Sequence, residues 1–200
     1  MDRRRALQIV RGLGGTITSQ EAVEAGLQWR DLYALRDEGE LAELSRGVFR
    51  LEEAEPIPYL DLLAVYRRCP HGTICLNSAL SFWDLTDEVP AGVHLAVSRG
   101  AWSPVISYPP TRVHVFAAST FSLGREMVDL GSGEEAAIYS PERSVVDAMR
   151  LRGSIGTDVA YEALRRYLSR AGASPGDLLQ IARRLRVGGP VADALEVLTG

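Results

Sequence analysis

Two hundred residues with 46% hydrophobic and 24% charged side chains make an ordinary globular composition, rich enough for a core and outside the disordered regime. No apolar run approaches the roughly 18 residues a membrane helix needs. The start, Met1-Asp2-Arg3-Arg4-Arg5, also lacks an apolar signal core, so no membrane partner is implied and the protein is expected in the cytoplasm. The net charge of −4 withholds the basic footprint common in nucleic-acid binders, and all 22 basic residues are Arg, a bias typical of GC-rich coding.

Arg3 to Arg11 reads as an opening helix with Leu7 and Val10 on one side, ended by Gly12, Gly14 and Gly15. Thr18 followed by Glu21 makes a capping box for a helix from Ser19 to Ala25, which Gly26 ends. Gln28 to Glu38 is a second helix, with Leu32 and Leu35 on its apolar side and Gly39 as its stop. Leu41 to Leu44 and Val48 to Leu51 are short strands around the polar turn Ser45-Arg46-Gly47. Three helices followed by a hairpin spell a winged helix-turn-helix over residues 1–53, with Gln28 to Glu38 as its recognition helix and the Ser45-Arg46-Gly47 turn as its wing.

Glu52 to Pro58 reads as a linker to a larger α+β domain over residues 57–200. Tyr59 to Cys69 is a helix stopped by Pro70, and Asn77 to Leu85 a second, capped by Asn77. This pair is expected to pack on a sheet. Gly92 to Ser98 and Arg112 to Ala117 alternate as strands, while Met127 to Leu130 and Ala136 to Tyr139 form a hairpin around Gly131-Ser132-Gly133. Ser140-Pro141-Glu142 is a strong helix start leading to about Arg152, and three helices follow, Thr157 to Arg170, Ser174 to Arg186 and Gly189 or Pro190 to Leu198. The predicted class is α+β, with a winged N-terminal domain, a small antiparallel or mixed sheet and a helical C-terminal third.

The winged segment carries eight Arg against ten acids, so its positive charge must be clustered to meet DNA. With successive helical residues about 100° apart, Leu32 and Leu35 face the core and Arg30, Tyr33, Ala34 and Asp37 face outward. Arg30 lies in the amino-terminal half that reaches base edges and suits bidentate contact to guanine; Tyr33 suits phosphate or a thymine methyl. Gln28, Trp29 and Arg46 at the wing tip complete the candidate surface, with Arg3, Arg4 and Arg5 as phosphate contacts. Each has a plainer reading: core packing for Trp29 and Tyr33, where the core is the expected place of Trp29, and a solvated side chain for each Arg. Arg36 falls nearer the buried side and is expected to snorkel over the domain edge.

Other constellations carry less. Cys69, His71 and Cys75 lack a fourth ligand, so neither zinc nor any other metal is expected and the thiols read as reduced and partly buried. Ser78, His94 and Asp84 form no triad without a nucleophile elbow. No phosphate-cradling or dinucleotide glycine pattern is present and no cofactor is implied, which leaves an enzymatic reading without catalytic residues. Asp84, Asp87 and Glu88 read as a solvated helix end.

The order of the segments from Gly26-Leu27 through Glu38-Gly39-Glu40-Leu41 to Arg46-Gly47-Val48-Phe49, then Asn77-Ser78-Ala79-Leu80-Ser81-Phe82-Trp83-Asp84-Leu85 with Pro90, then Tyr139-Ser140-Pro141-Glu142-Arg143-Ser144-Val145-Val146-Asp147, resembles an AbiEi-type antitoxin. That resemblance covers most of the chain and implies a transcriptional autorepressor of an abortive-infection toxin-antitoxin pair, with promoter DNA and a nucleotidyltransferase-like toxin as partners and no catalytic residue. The family's DNA role goes with a basic first domain and basic C-terminal helices. Only the second is partly met here, by Arg165, Arg166, Arg170, Arg183, Arg184 and Arg186. The alternative is a winged-helix regulator whose larger domain senses a small molecule, with the loop from Arg99 to Arg112, Trp102 and Tyr108 as its candidate site.

Overall fold

The computed structural model describes residues 2–199, which divide into two compact units. The first holds the chain up to Pro70 together with Pro104–Thr111 and Asp129–Ala136. It opens with α1 (Arg3–Gly12), β1 (Thr16–Thr18), α2 (Ser19–Glu24) and α3 (Trp29–Asp37), then β2 (Leu41–Ser45), β3 (Val48–Leu51) and α4 (Leu60–Arg68). The capping box at α2 is formed: the Glu21 amide donates to Thr18 Oγ1 at 3.2 Å and the Thr18 amide donates to Glu21 Oε2 at 2.7 Å. Ala6, Leu7 and Val10 of α1 pack with Ile17, Ala22, Leu27, Leu32, Leu35 and Phe49 in one core.

β1 extends the hairpin to an antiparallel sheet of order β1-β3-β2, pairing Ile17 with Phe49. Three residues between a glycine pair and a helix cap are too short for alternation to reveal a strand. α4 also belongs to this unit. Its Ala64 joins Leu44 and Val48 of the hairpin in a buried cluster, and its Arg67 donates to Glu21 Oε1 at 3.3 Å and to the Thr16 carbonyl. The expected linker is tied down as well, since Ile57 is buried and the Glu55 carbonyl accepts from Arg50 Nη2 at 2.6 Å. The compact unit is therefore larger than the 1–53 winged segment, because the apolar back of the hairpin needs α4 to cover it.

The second unit holds β4 (Thr73–Ile74), α5 (Leu76–Phe82), β5 (Val93–Ser98), β6 (Thr111–Phe116) from Arg112 on, α6 (Ala118–Phe121), β7 (Arg125–Asp129) up to Val128 and β8 (Glu135–Tyr139) from Ala137 on. A helical third follows: α7 (Pro141–Arg150), α8 (Arg152–Ile155), α9 (Thr157–Leu168), α10 (Pro175–Arg184) and α11 (Gly188–Thr199). The sheet order is β6-β5-β4-β8-β7, with β4 antiparallel to β5 and parallel to β8, so the sheet is mixed. The α+β class with small sheets and a helical C-terminal third is the one the sequence implies.

Two expectations are corrected. The helices at Tyr59–Cys69 and Asn77–Leu85 do not pair on one sheet: α4 packs on the winged sheet, whereas α5 packs on β5 and α7. Nor does Asn77 cap α5. Cys75 occupies that position, and buried Asn77 donates instead to Glu88 Oε2 at 2.8 Å.

Ser140 caps α7 by accepting from the Arg143 amide at 3.2 Å, with Pro141 at the first helical position. This cap delivers the fully buried Arg143 onto the fully buried Asp147 at 2.8 Å and onto the carbonyls of Thr120 and Leu123, both at 2.7 Å. The guanidinium also lies 4.3 Å from the centre of the Tyr139 ring. Gly124 has φ +68°, and a β-carbon there would stand 2.7 Å from Arg143 Cβ, so only glycine admits the arginine so close to the chain. Around α7, Val145, Val146 and Met149 pack with Leu164, Leu178 and Val191 from α9, α10 and α11. Asp147→Ala strands a buried cation and should cost about 3–5 kcal/mol. Arg150→Ala, which removes the half-buried second partner of Asp147 at 2.8 Å, should cost about 1 kcal/mol or less. Urea denaturation of the two variants checks the difference.

Candidate nucleic-acid interface

α3 begins where the Gln28 amide donates to Asp31 Oδ2 at 2.9 Å, a bond that holds the Asp31 carboxyl below its usual range, with Arg30 adding to the effect. Leu32 and Leu35 are buried, which fixes the phase of the helix and turns Gln28, Trp29, Arg30, Ala34 and Asp37 to solvent. The expectation that Trp29 sits in the core is thereby corrected. Its side chain is 57% exposed, because Trp29 stands at the first position of α3, at the edge of the apolar face, and the core is closed there by Leu27.

Tyr33 is not fully outward either. It is half-buried, its ring set edge-on against Phe49 of β3 at 5.8 Å, with the Arg36 guanidinium 4.7 Å above it. Arg36 bonds Glu43 of β2 at 3.0 Å and Asp37 at 2.8 Å, so it spans the edge between helix and hairpin, the place its helical phase implies. These contacts lock α3 to the hairpin. The sequence gives no sign of this lock beyond the presence of Glu43 in an otherwise apolar strand.

The turn between β2 and β3 is short and anchored. Gly47 has φ +76°; its carbonyl accepts from the Ser19 amide at 2.8 Å, and a β-carbon there would stand 3.0 Å from Ser19 Oγ. Ser45 is buried, and Arg46 alone projects from the turn. The wing is thus a fixed corner carrying one cation.

Acidic neighbours decide which arginines are available. Arg3 pairs with Glu38 at 3.0 Å and with Glu40, and Arg11 pairs with Glu53 at 2.7 Å, holding that carboxyl below its usual range. Arg50 is buried on Thr16, Glu55 and Glu134. Arg4, Arg5 and Arg46 are exposed and make no hydrogen bond or ion pair among the described residues, while Arg30 has only the neighbouring charge of Asp31. The predicted set thus separates: Arg4, Arg5, Arg30 and Arg46 are open cations, Trp29 and Gln28 are open neutral side chains, Arg3 is paired with two carboxylates though still exposed, and Tyr33 is packed at the helix-hairpin edge.

Residues 4–52 match the family model described as "Transcriptional regulator, AbiEi antitoxin". The match covers the winged segment and ends before α4, and it supports a DNA-binding regulator. The crystal structure of the RV2827C protein from Mycobacterium tuberculosis is similar in fold, with a TM-score of 0.52 and 21% identity over 96% of this chain and 80% of that one. Comparison with curated proteins found no match.

The remaining candidates resolve into structural roles. Cys69 and Cys75 are both fully buried, and burial followed by the charge of Asp147 pushes the Cys75 thiol well up. Ser78 Oγ accepts from the backbone amide of His94 at 2.9 Å, and Asp84 and Asp87 pair with Arg166, so serine, imidazole and carboxylate each have other partners. Trp102 and Tyr108 are 58% and 66% exposed, so neither is enclosed as a ligand-sensing aromatic would be. No described helix is long and apolar enough to cross a membrane.

His94 and His114 stack with Nδ1 and Nε2 3.2 Å apart, so one of these nitrogens must stay unprotonated to accept. Burial, then the charge of His94 and of Arg112, lowers His114 to about 4 from the usual 6.5, and burial lowers His94 as well. Between those values the unfolded chain binds protons that the folded chain refuses, so stability should decline as pH falls from about 6.5 to about 4. Below about 4 the pair adds nothing further. Melting temperatures across that window should fall less steeply for His114→Phe than for the wild type.

Proposed function

We propose that the chain is a DNA-binding antitoxin that represses its own promoter and counteracts a nucleotidyltransferase-like toxin. The winged segment 1–53 reads DNA, and residues 57–200 serve neutralisation. The observation that carries the DNA role is the distribution of charge on the winged unit. Acidic partners occupy Arg3, Arg11 and Arg36, while Arg30 on the amino-terminal half of α3 and Arg46 on the wing corner remain open. α3 and the hairpin are held together by Tyr33, Phe49, Arg36 and Glu43, so the two cations are presented by one rigid frame. The family description over residues 4–52 supports both the regulator and the antitoxin roles. The reading is non-enzymatic and needs no cofactor, and the protein acts in the cytoplasm beside its promoter.

Arg30 serves as the base reader, Arg46 as a wing contact to phosphate, and Arg4 and Arg5 as further phosphate contacts. Trp29, exposed one residue before Arg30, supplies apolar surface to the same groove, with Gln28 as a polar neighbour and Tyr33 as the support beneath them. Arg3 contributes through its remaining exposure.

Arg30→Ala should cost about 1–3 kcal/mol at the specific operator and flatten discrimination between operator variants. Arg46→Ala should weaken all duplexes alike and lower the salt slope by about one unit. Mobility shifts of the full chain on its own promoter at several salt concentrations measure both, and unchanged melting temperatures show that folding is intact. Unchanged affinity and selectivity in folded Arg30→Ala would sink the proposed helix orientation. For the antitoxin role, co-expression with a nucleotidyltransferase-like protein encoded beside this gene should be tolerated with the wild type and with Arg30→Ala alike. Toxicity undiminished by either would refute it.

A further inference from the structure

The segment Pro104–Thr111 belongs to the same compact unit as the wing, although Ser45 and Tyr108 stand 63 positions apart in sequence. It is a pinned segment. Pro104, Ile106 and Pro109 are buried, and Thr111 Oγ1 donates to the Pro109 carbonyl at 2.8 Å. Buried Ser45, the residue before Arg46, donates its hydroxyl to the Tyr108 carbonyl at 2.7 Å. That bond sets Tyr108 against the wing corner.

The side chains that result are unusual for a fixed loop. Tyr108 is 66% exposed, and its hydroxyl makes no hydrogen bond among the described residues. Arg46, one residue along from the anchoring Ser45, is likewise open. A large aromatic ring held out in water beside three buried anchors contributes little to the core, and it is as open to solvent as the wing cation. A phenol hydroxyl donates to a phosphate oxygen without neutralising it, and the ring covers a sugar edge.

We propose that Tyr108 is a second, uncharged part of the wing, contacting the DNA backbone beside the phosphate held by Arg46, and that Ser45 is its positioning residue. The inference rests on the DNA-binding reading above and adds to it a contact from outside the winged segment. It has a signature that a cation lacks. Removing the tyrosine loses affinity without losing a released counterion, so the salt slope stays at its wild-type value.

The test is a salt series of mobility shifts with the full chain on its promoter duplex, comparing Tyr108→Ala, Tyr108→Phe and Ser45→Ala with Arg46→Ala and Arg30→Ala. Tyr108→Ala should weaken binding about tenfold, as for one hydrogen bond to a charged group, on specific and non-specific duplexes alike and with the wild-type slope. Tyr108→Phe should lose most of that amount, and Ser45→Ala part of it. Melting temperatures of the Tyr108 variants should not move, since the ring is exposed. Wild-type affinity in Tyr108→Ala alongside a loss in Arg30→Ala overturns this inference and leaves the DNA-binding reading intact. A salt slope reduced as in Arg46→Ala would show that the tyrosine acts only by placing the arginine, and would overturn direct contact. Failure of the wild type to shift any duplex would overturn both readings together.

Discussion

Arginine side chains in the winged unit bridge one element to the next through carboxylates, and the choice of partner decides what charge is left on the surface. Arg3 of α1 reaches Glu38 and Glu40 beyond the end of α3, Arg11 reaches Glu53, Arg36 of α3 reaches Glu43 of β2, and Arg67 of α4 reaches Glu21 of α2. Pairs of this kind, reached by solvent and screened by salt, are not what holds the unit together. That work falls to the core of Val10, Ile17, Leu32, Leu35 and Phe49, where each fully buried large apolar side chain contributes about 1.5–3 kcal/mol. What the pairs fix is location. They tie the acids to arginines at the seams between elements and leave α3's leading end and the wing corner positive.

The second unit uses the same two residue types in the opposite way. Arg143 and Asp147 are both fully buried, where desolvation opposes them and where loss of one partner is far more costly than loss of a surface pair. The structure offsets that penalty with two carbonyls, a second arginine on Asp147 and the face of Tyr139. The sequence Ser140-Pro141-Glu142-Arg143 is thus a cap followed by a core cation. Its neighbours Val145, Val146 and Met149 make α7 the helix on which α9, α10 and α11 close. A motif of this strength in the sequence is a folding device.

The sequence made the periodic elements legible. The capping box at Thr18 and Glu21, the glycine stops at Gly26 and Gly39 and the Ser-Pro starts at α7 and α10 all lie at the ends they indicate, because caps and turns are local chemistry. Two strands leave no pattern in the sequence, β1 and β4, at three and two residues, too short for alternation to show and dependent on partners far along the chain. The misplaced Trp29 has a related cause. An aromatic beside an apolar stripe looks like core, and only the closure of that core by Leu27 and Phe49 shows that no room remains for it. The pairing of Arg3 and Arg11 was equally illegible, since Glu38 and Glu53 are thirty-five or more residues away. Arg36 stands at the domain edge that its helical phase implies, held there by Asp37 and Glu43.

The net negative charge of the chain is a weak argument against binding DNA once these positions are known. At physiological ionic strength a charge is screened over about 8 Å, so a phosphate approaching the wing responds to Arg46 and its immediate surroundings more than to the sum over two hundred residues. Around Arg46 those surroundings are neutral or already satisfied. Glu43 is held by Arg36 and by the Gly47 amide at 3.1 Å, and Ser45 is turned inward. The wing corner is also rigid, with Gly47 bound to Ser19 at the start of α2, so little ordering cost remains when a phosphate is engaged. On the proposed reading, an acidic protein of this design would bind through a few prearranged cations, so its affinity would depend on their spacing more than on bulk attraction. Such a surface would gain selectivity from the acids elsewhere on it, because they would oppose any DNA approach that does not present phosphate to those few positions.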